Sequence, residues 1–284
     1  MNVKNKIKEL QQTLGIPNPD GLWGGSSQEI LENSEYRLDL SPEFKQRLGN
    51  AVLQSRYNVA KNLRLESIDA ILDAINTMDF GINLSGTKDY AAKNPLYAAY
   101  IFATAYHETA YSLYPLTEGG KGSTRKYGKV FKNSKGIFYG IANSDGVAYD
   151  YKTFPFLYYG RGLVQLTWFD NYAALSKVVG VDLTRNPEEA NNPKYASKIL
   201  VDGMINGRFT SRKLSSYIKY GLDENEFINA RRIINGVDKK VEIAKHAYLF
   251  LENLILVKKE NINVNPEEHI DTCKNCTCPC HKTS

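Results

Sequence analysis

Two glutamates ten residues apart carry the chemistry that this sequence offers most plainly. Glu108 stands in Tyr106-His107-Glu108-Thr109-Ala110, and Glu118 in Pro115-Leu116-Thr117-Glu118-Gly119-Gly120. Hydrolysis of a glycosidic bond asks for such a pair: one carboxylic acid that gives a proton to the leaving oxygen, and one carboxylate that acts as base toward water or as nucleophile. The two surroundings differ. Ile101, Ala105 and Glu108 share a stripe of an apolar helix expected from Pro95 to Ala110, so that Glu108, beside Tyr106, lies where desolvation favours the neutral acid. Glu118, among Gly119, Gly120, Lys121 and Gly122, has the solvent and positive charge that favour the anion. Taken alone, two glutamates at this spacing far more often mark surface or ion-paired residues, and the rest of the chain has to decide.

The elements that would position them are mostly helical. Val3, Ile7, Leu10 and Leu14 recur at helical spacing before Gly15. Ser41-Pro42-Glu43 caps and starts another helix, and Asn94-Pro95 does the same for the helix carrying Glu108. Further helices are expected over Leu65 to Met78, Asp170 to Val179, from Pro187 or Pro193 to Gly207, over Glu224 to Ile234 and over Val241 to Leu256. Residues 119 to 160 lack periodicity, apart from short strands expected around Gly136 to Ile141 and Val147 to Lys152, and read as a functional loop region. The result is a largely α-helical domain with a small β or loop lobe.

Composition narrows the partners. The 284 residues hold ordinary apolar and charged fractions, enough for one sizeable core, and 19 tyrosines suit both packing and carbohydrate contact. A net charge of +5 comes from scattered Lys and Arg, which argues against a nucleic-acid groove and fits weak attraction to an anionic wall polymer. No apolar run reaches the roughly 18 residues of a membrane span. The start, with Lys4, Lys6 and Lys8, lacks the apolar stretch of a secretory signal, so residence in a cytoplasm until release is expected. All four cysteines lie in the tail, at Cys273, Cys276, Cys278 and Cys280 with His281 beside them. Thiolates and imidazole so close can bind zinc, but without two folded knuckles around them a flexible tail is expected and no metal is assigned.

Motifs downstream give the glutamates their context. Tyr158-Tyr159-Gly160-Arg161-Gly162-Leu163-Val164-Gln165-Leu166-Thr167 is followed by Asn171-Tyr172, Gly180-Val181-Asp182-Leu183, Asn186-Pro187, Gly203-Met204, Gly207 with Phe209-Thr210, and Asn229-Ala230-Arg231-Arg232-Ile233-Ile234-Asn235-Gly236. With His107-Glu108-Thr109 upstream, this order over roughly residues 50 to 255 strongly resembles glycoside hydrolase family 19, which comprises chitinases and wall-degrading phage endolysins. The resemblance implies a lysozyme-like, mainly α-helical bilobal domain with a deep cleft and an inverting reaction. Glu108 then matches the general acid, Glu118 the general base, and Thr167 the hydroxyl that helps hold the attacking water. Inversion needs carboxylates roughly 6.5 to 9.5 Å apart. The short acid-to-base spacing resembles the compact phage and bacterial members.

The same resemblance places Gln165, Asn171 and Asn235 at sugar-binding or cleft-lining positions, with helix capping as the lesser alternative for the first two. His107 either touches substrate, orders Glu108 or is a core histidine, and Tyr159 either stacks on a sugar or fills the core. Gly160 and Gly162 allow close backbone approach, Arg161 pairs with an acid, and Arg231 and Arg232 steady the carboxylates by charge.

The expected organisation is a helical region over 1–40, a catalytic domain over 41–257 and a Cys-rich tail over 258–284. Leu-Gln-Gln-x-Leu-Gly, Asp20-Gly21-Leu22-Trp23-Gly24 and Ser27-x-Glu29-Ile30-Leu31 resemble the first part of a small peptidoglycan-binding helical module. The leading expectation is thus a phage-type endolysin cutting the β-1,4 glycan strands of peptidoglycan, with a chitinase acting on β-1,4-linked N-acetylglucosamine as the alternative and a non-catalytic wall-binding protein as the third reading. The expected protein is a cofactor-free monomer without stable membrane insertion. It would be held in the host bacterial cytoplasm until a holin-like partner releases it to the wall.

Overall fold

Helix α5 (Pro95–Glu108) is apolar on nearly every side, and a helix of that kind is stable only inside a core. In the computed structural model, which describes residues 2–50, 57–81, 90–122, 127, 131–132, 138–139, 157–234 and 236–259, it is the buried axis of the molecule. Its start is fixed by Asn94, whose side chain accepts the Leu96 amide at 2.9 Å, and by Pro95 in the first turn. Ala98, Ala99, Ala103 and Ala105 are fully buried small residues that let neighbouring helices come close. Against it lies α9 (Lys240–Asn253), with Phe102 stacked on Phe250 at 5.2 Å and Tyr106 edge-on to the same ring. From α8 (Glu224–Ala230), Phe227 stacks on Tyr100.

Around this axis stand α3 (Pro42–Asn50), α4 (Lys61–Thr77), α6 (Phe169–Val179) and α7 (Pro193–Asn206). The first residues hold α1 (Val3–Thr13), α2 (Gly25–Asn33) and a strand, β1 (Tyr36–Leu40). Val3, Ile7, Leu10, Trp23 and Leu31 join the same hydrophobic cluster as α5 and α9. Among the described residues no helix is long and apolar enough to cross a membrane.

Two helix ends differ from expectation. The helix read over Val241 to Leu256 stops at Asn253, and Leu254–Lys258 becomes a strand, β6, antiparallel to β1 with Leu38 opposite Leu256. Tertiary pairing wins there over helical periodicity, helped by β-branched Ile255 and Val257. On the other edge of β1, the Asn76 side chain accepts from the Leu38 amide and donates to the Leu38 carbonyl, both at 2.9 Å, closing an open strand edge. The helix read over Glu224 to Ile234 keeps α-helical turns to Ala230 and tightens into a 3-10 turn at Arg231–Ile233.

Small strand pairs complete the fold. β2 (Leu116–Thr117) pairs with β5 (Arg161–Gly162), and β3 (Phe131–Lys132) with β4 (Phe138–Tyr139), the latter inside the stretch expected as a strand. The strand expected over Val147 to Lys152, the Cys-rich tail with His281, and Asn235 lie outside the described residues.

Candidate active site

Glu108 is the last residue of α5, so the packing that fixes the helix also fixes the carboxylate. The chain then turns sharply. The Thr109 hydroxyl donates to the Ala105 carbonyl at 2.7 Å and accepts the Leu113 amide at 2.9 Å. Ala110, Tyr111 and Leu113 all have positive φ, between 47° and 67°. Left-handed backbone at non-glycine residues is costly and persists where the surroundings enforce it, which is common at functional sites. Gln165 and Trp168, at 53° and 75°, repeat the pattern on the segment that faces Glu118.

The setting of Glu108 differs from the apolar one expected. Arg231 Nη1 donates to Glu108 Oε1 at 2.5 Å, and the two side chains are 4% and 17% exposed. Arg231 Nε reaches the Asp238 carbonyl at 3.3 Å, so the guanidinium is itself aimed. Two turns back along the same helix face, the buried Tyr100 phenol feels both Arg231 and Glu108, and its burial pushes its pKa well up.

Glu118 follows β2 and is held by Gly160. The Glu118 amide donates to the Gly160 carbonyl at 2.8 Å, while the Gly160 amide donates to Glu118 Oε2, also at 2.8 Å. Tyr127 Oη donates to Glu118 Oε1 at 3.2 Å. Among the described residues, neutral donors hold Glu118, and the guanidinium of the site lies on Glu108. A side chain at position 160 would not fit, because a Cβ there would stand 2.7 Å from Gln165 Oε1 and 3.3 Å from Glu118 Oε2.

The β2–β5 pair is built to keep this contact. Asn191 Nδ2 donates to Thr117 Oγ1 at 2.9 Å and its Oδ1 accepts the Gly162 amide at 3.0 Å, so one side chain spans both strands. Gln165 Nε2 donates to the Leu116 carbonyl at 3.0 Å. Arg161 and Leu166 exchange backbone hydrogen bonds, closing a tight hairpin. Thr167 comes next and is half-buried. Its carbonyl accepts Asn171 Nδ2 at 2.9 Å, which ties the hairpin to the first turn of α6.

Arg161 is 1% exposed. It donates to the Leu157 carbonyl at 2.7 Å, to the Tyr172 hydroxyl at 3.1 Å and to Glu188 Oε1 at 2.7 Å. Burial opposes the charge of Glu188, but Arg161 outweighs it and holds that carboxyl below its usual range. The Arg161 guanidinium also lies 3.6 Å from the centre of the Tyr159 ring, and Tyr159 Oη donates to Glu188. Buried and covered in this way, Tyr159 packs rather than presenting a face for a sugar.

His107, next to Glu108 but about 100° round the helix, lies toward the part of α9 that carries Glu242 and His246. Among the described residues its Nδ1 is buried without a hydrogen-bond partner. Arg232 is exposed and contributes its carbonyl, which accepts the Thr210 hydroxyl at 2.8 Å. The structure thus joins Glu118, Gln165 and the Thr167 hairpin in one unit and Glu108 with Arg231 in another. Sequence reasoning missed Tyr127 and Glu188. Tyr127 sits in aperiodic chain, and Glu188 resembles any exposed acid at a helix start.

Comparison with known proteins identifies the family. The family model of glycoside hydrolase family 19, described as chitinase class I, matches residues 45–200, more than half of the chain. An endochitinase from Arabidopsis thaliana is 29% identical over 148 residues, covering 52% of this chain and 47% of the relative. The chain therefore spans about half the length of the curated relative it matches. Among solved structures, chitinase C from Streptomyces griseus overlaps with a TM-score of 0.46 at 16% identity, over 74% of this chain and 76% of that one. A family 19 class IV chitinase from Zea mays overlaps with a TM-score of 0.43 at 17% identity, over 75% and 92%. On the match to the family model, which takes in both glutamates and the Gly160–Thr167 hairpin, the chain belongs to glycoside hydrolase family 19.

Proposed function

We propose that this chain hydrolyses β-1,4-linked polymers of N-acetylated sugars with inversion at the anomeric carbon, with Glu108 as general acid and Glu118 as general base. The observation that supports the reading is that the two carboxylates are held differently: Glu108 on the Arg231 guanidinium, Glu118 between the Gly160 amide and the Tyr127 hydroxyl. Family membership and the likeness to an endochitinase support the substrate class.

In this mechanism the proton sits on the Glu108 oxygen that Arg231 does not hold. As the C1–O bond breaks, that proton passes to the leaving oxygen, and the carboxylate left behind is stabilised by Arg231 where charge develops. Water adds to C1 from the opposite face and gives its proton to Glu118. The donors on Glu118 fix the carboxylate's direction and leave lone pairs for that water, with the Thr167 hydroxyl as a second anchor. Gln165 is engaged with Leu116, so its contribution is to hold the β2–β5 unit.

A second reading narrows the polymer to the glycan strand of peptidoglycan, cut by a phage-type endolysin after a holin-like protein opens the membrane. The Asp20–Ser27 motif favours it. Wild type, Glu108→Gln and Glu118→Gln assayed on colloidal chitin and on purified sacculi test both readings. Each substitution is expected to cost on the order of a hundredfold or more. Undiminished hydrolysis by Glu108→Gln would remove the acid assignment, and activity on chitin alone would remove the peptidoglycan reading.

A further inference from the structure

The motif around Trp23 plays no part in the two-carboxylate site, yet it forms one wall of a separate cleft of about 330 Å³. Trp23, Gln28, Asn94, Tyr97, Ser215 and Tyr220 line it, drawn from the α2 start, the α5 start and the loop before α8. From this cleft we infer a second glycan-binding site, one that takes a neutral stretch of the same polymer away from the bond being cut. The inference rests on the polymer reading proposed above.

Three observations carry it. The first is the presentation of Tyr220, which is 48% exposed although its backbone is tightly held. Glu226 Oε2 accepts the amides of Lys219, Tyr220 and Gly221 at 2.5, 3.0 and 2.9 Å, so one carboxylate oxygen clamps the loop and leaves the ring in solvent at the cleft rim. The second is the balance of lining groups. Trp23 forms a buried floor whose indole N–H is already taken by Gln28 Oε1 at 2.8 Å. Among the described residues of the lining Lys219 alone is charged, and its ammonium folds back onto the Ser215 carbonyl at 2.7 Å. Aromatic rings beside amides and hydroxyls, with little charge to offer, suit a polyhydroxylated neutral ring that stacks one face and bonds through its rim. The third is position: Asn94 and Tyr97 stand at the first turn of α5 and Glu108 at its last, so cleft and acid are separated by about 20 Å of helix. A glycan polymer is long enough to engage both ends, and a second contact on one chain raises the effective concentration at the first.

The test uses the full chain with Tyr220→Ala and Tyr220→Phe. Both are made in the wild type for hydrolysis and in Glu108→Gln for binding to insoluble colloidal chitin and purified sacculi by depletion from solution. Tyr220→Ala is expected to bind the polymers about two- to tenfold more weakly, the range of a lost aromatic contact, while Tyr220→Phe binds like its parent. Hydrolysis of a short soluble N-acetylglucosamine oligosaccharide should be unchanged in both. Equal polymer binding by Tyr220→Ala and its parent overturns the inference. So does a parallel loss on the short substrate, which would place Tyr220 in the cutting site. If wild type cleaves neither polymer but binding still depends on Tyr220, the hydrolase reading fails and the binding site stands.

Discussion

Replacing Gly160 by alanine should cripple turnover well beyond its effect on stability. The new Cβ would lie 2.7 Å from Gln165 Oε1 and 3.3 Å from both Glu118 Cβ and Oε2. Gln165 cannot swing aside freely, because its Nε2 holds the Leu116 carbonyl and so ties β2 to the hairpin. Overpacking of this kind costs about 1–3 kcal/mol, which in a domain of this size lowers Tm by roughly 3–10 °C. Relief comes most easily by moving Glu118 off the Gly160 amide, a charge-assisted bond worth about 1.5–3 kcal/mol. With about 1.36 kcal/mol per tenfold in rate, kcat should fall roughly 10- to 100-fold. Gly162→Ala is the control: its φ is 85° and the added Cβ would meet the Ala190 carbonyl at 2.7 Å, so it is strained but does not touch Glu118. Circular dichroism melts and hydrolysis of a soluble N-acetylglucosamine oligosaccharide, read well below both transitions, separate the two effects. Gly160→Ala with kcat within twofold of wild type, or both variants losing turnover in step, would refute the reasoning.

Other outcomes follow from the same geometry. Arg231→Lys keeps a charge but loses the fork that reaches Glu108 and the Asp238 carbonyl together, so kcat should drop about tenfold or more and Arg231→Ala should do worse; equal rates in all three would detach Arg231 from the reaction. Arg161→Met leaves the Leu157 carbonyl and the Tyr172 hydroxyl without their donor while Glu188 stays in solvent, and the urea midpoint should reveal about 1–3 kcal/mol of lost stability, an unshifted midpoint being the contrary result. Burial holds His246 below its ordinary pKa, so the folded protein keeps it neutral where the unfolded chain takes up a proton. The stability it contributes is present above about pH 6.5 and is lost as pH falls toward the folded value. Melting curves from pH 7.5 to 5 should show that decline, and His246→Phe should flatten it; an equal slope in the variant would assign the decline to other groups. Thr167→Ala should slow turnover less than Glu118→Gln, and the reverse order would contradict a water-anchoring role for the hydroxyl.

What could be read from sequence follows from how local each cause is. Helix α5 was legible because its cap, its first-turn proline and its apolar run are contiguous, and Glu108 followed as its last residue. The Gly160–Thr167 segment was legible as a motif, and its glycines as sites of close approach. The partner of Glu108 was less so, since Arg231 lies 123 residues away and only packing of α8 and α9 on α5 brings it there. The β1–β6 pairing joins Tyr36–Leu40 to the distant Leu254–Lys258, and local periodicity made Leu254–Leu256 the end of a helix. Tyr159 shows a third limit: an aromatic beside a catalytic-looking motif can stack on sugar or on a buried guanidinium, and only the fold places Arg161 against its ring.

The central claim is that two carboxylates act on opposite faces of the anomeric carbon. Proton NMR of the first product formed from a β-linked N-acetylglucosamine oligosaccharide, recorded before mutarotation, tests it most directly. The account predicts that the new reducing end appears as the α-anomer; initial release of the β-anomer would contradict it.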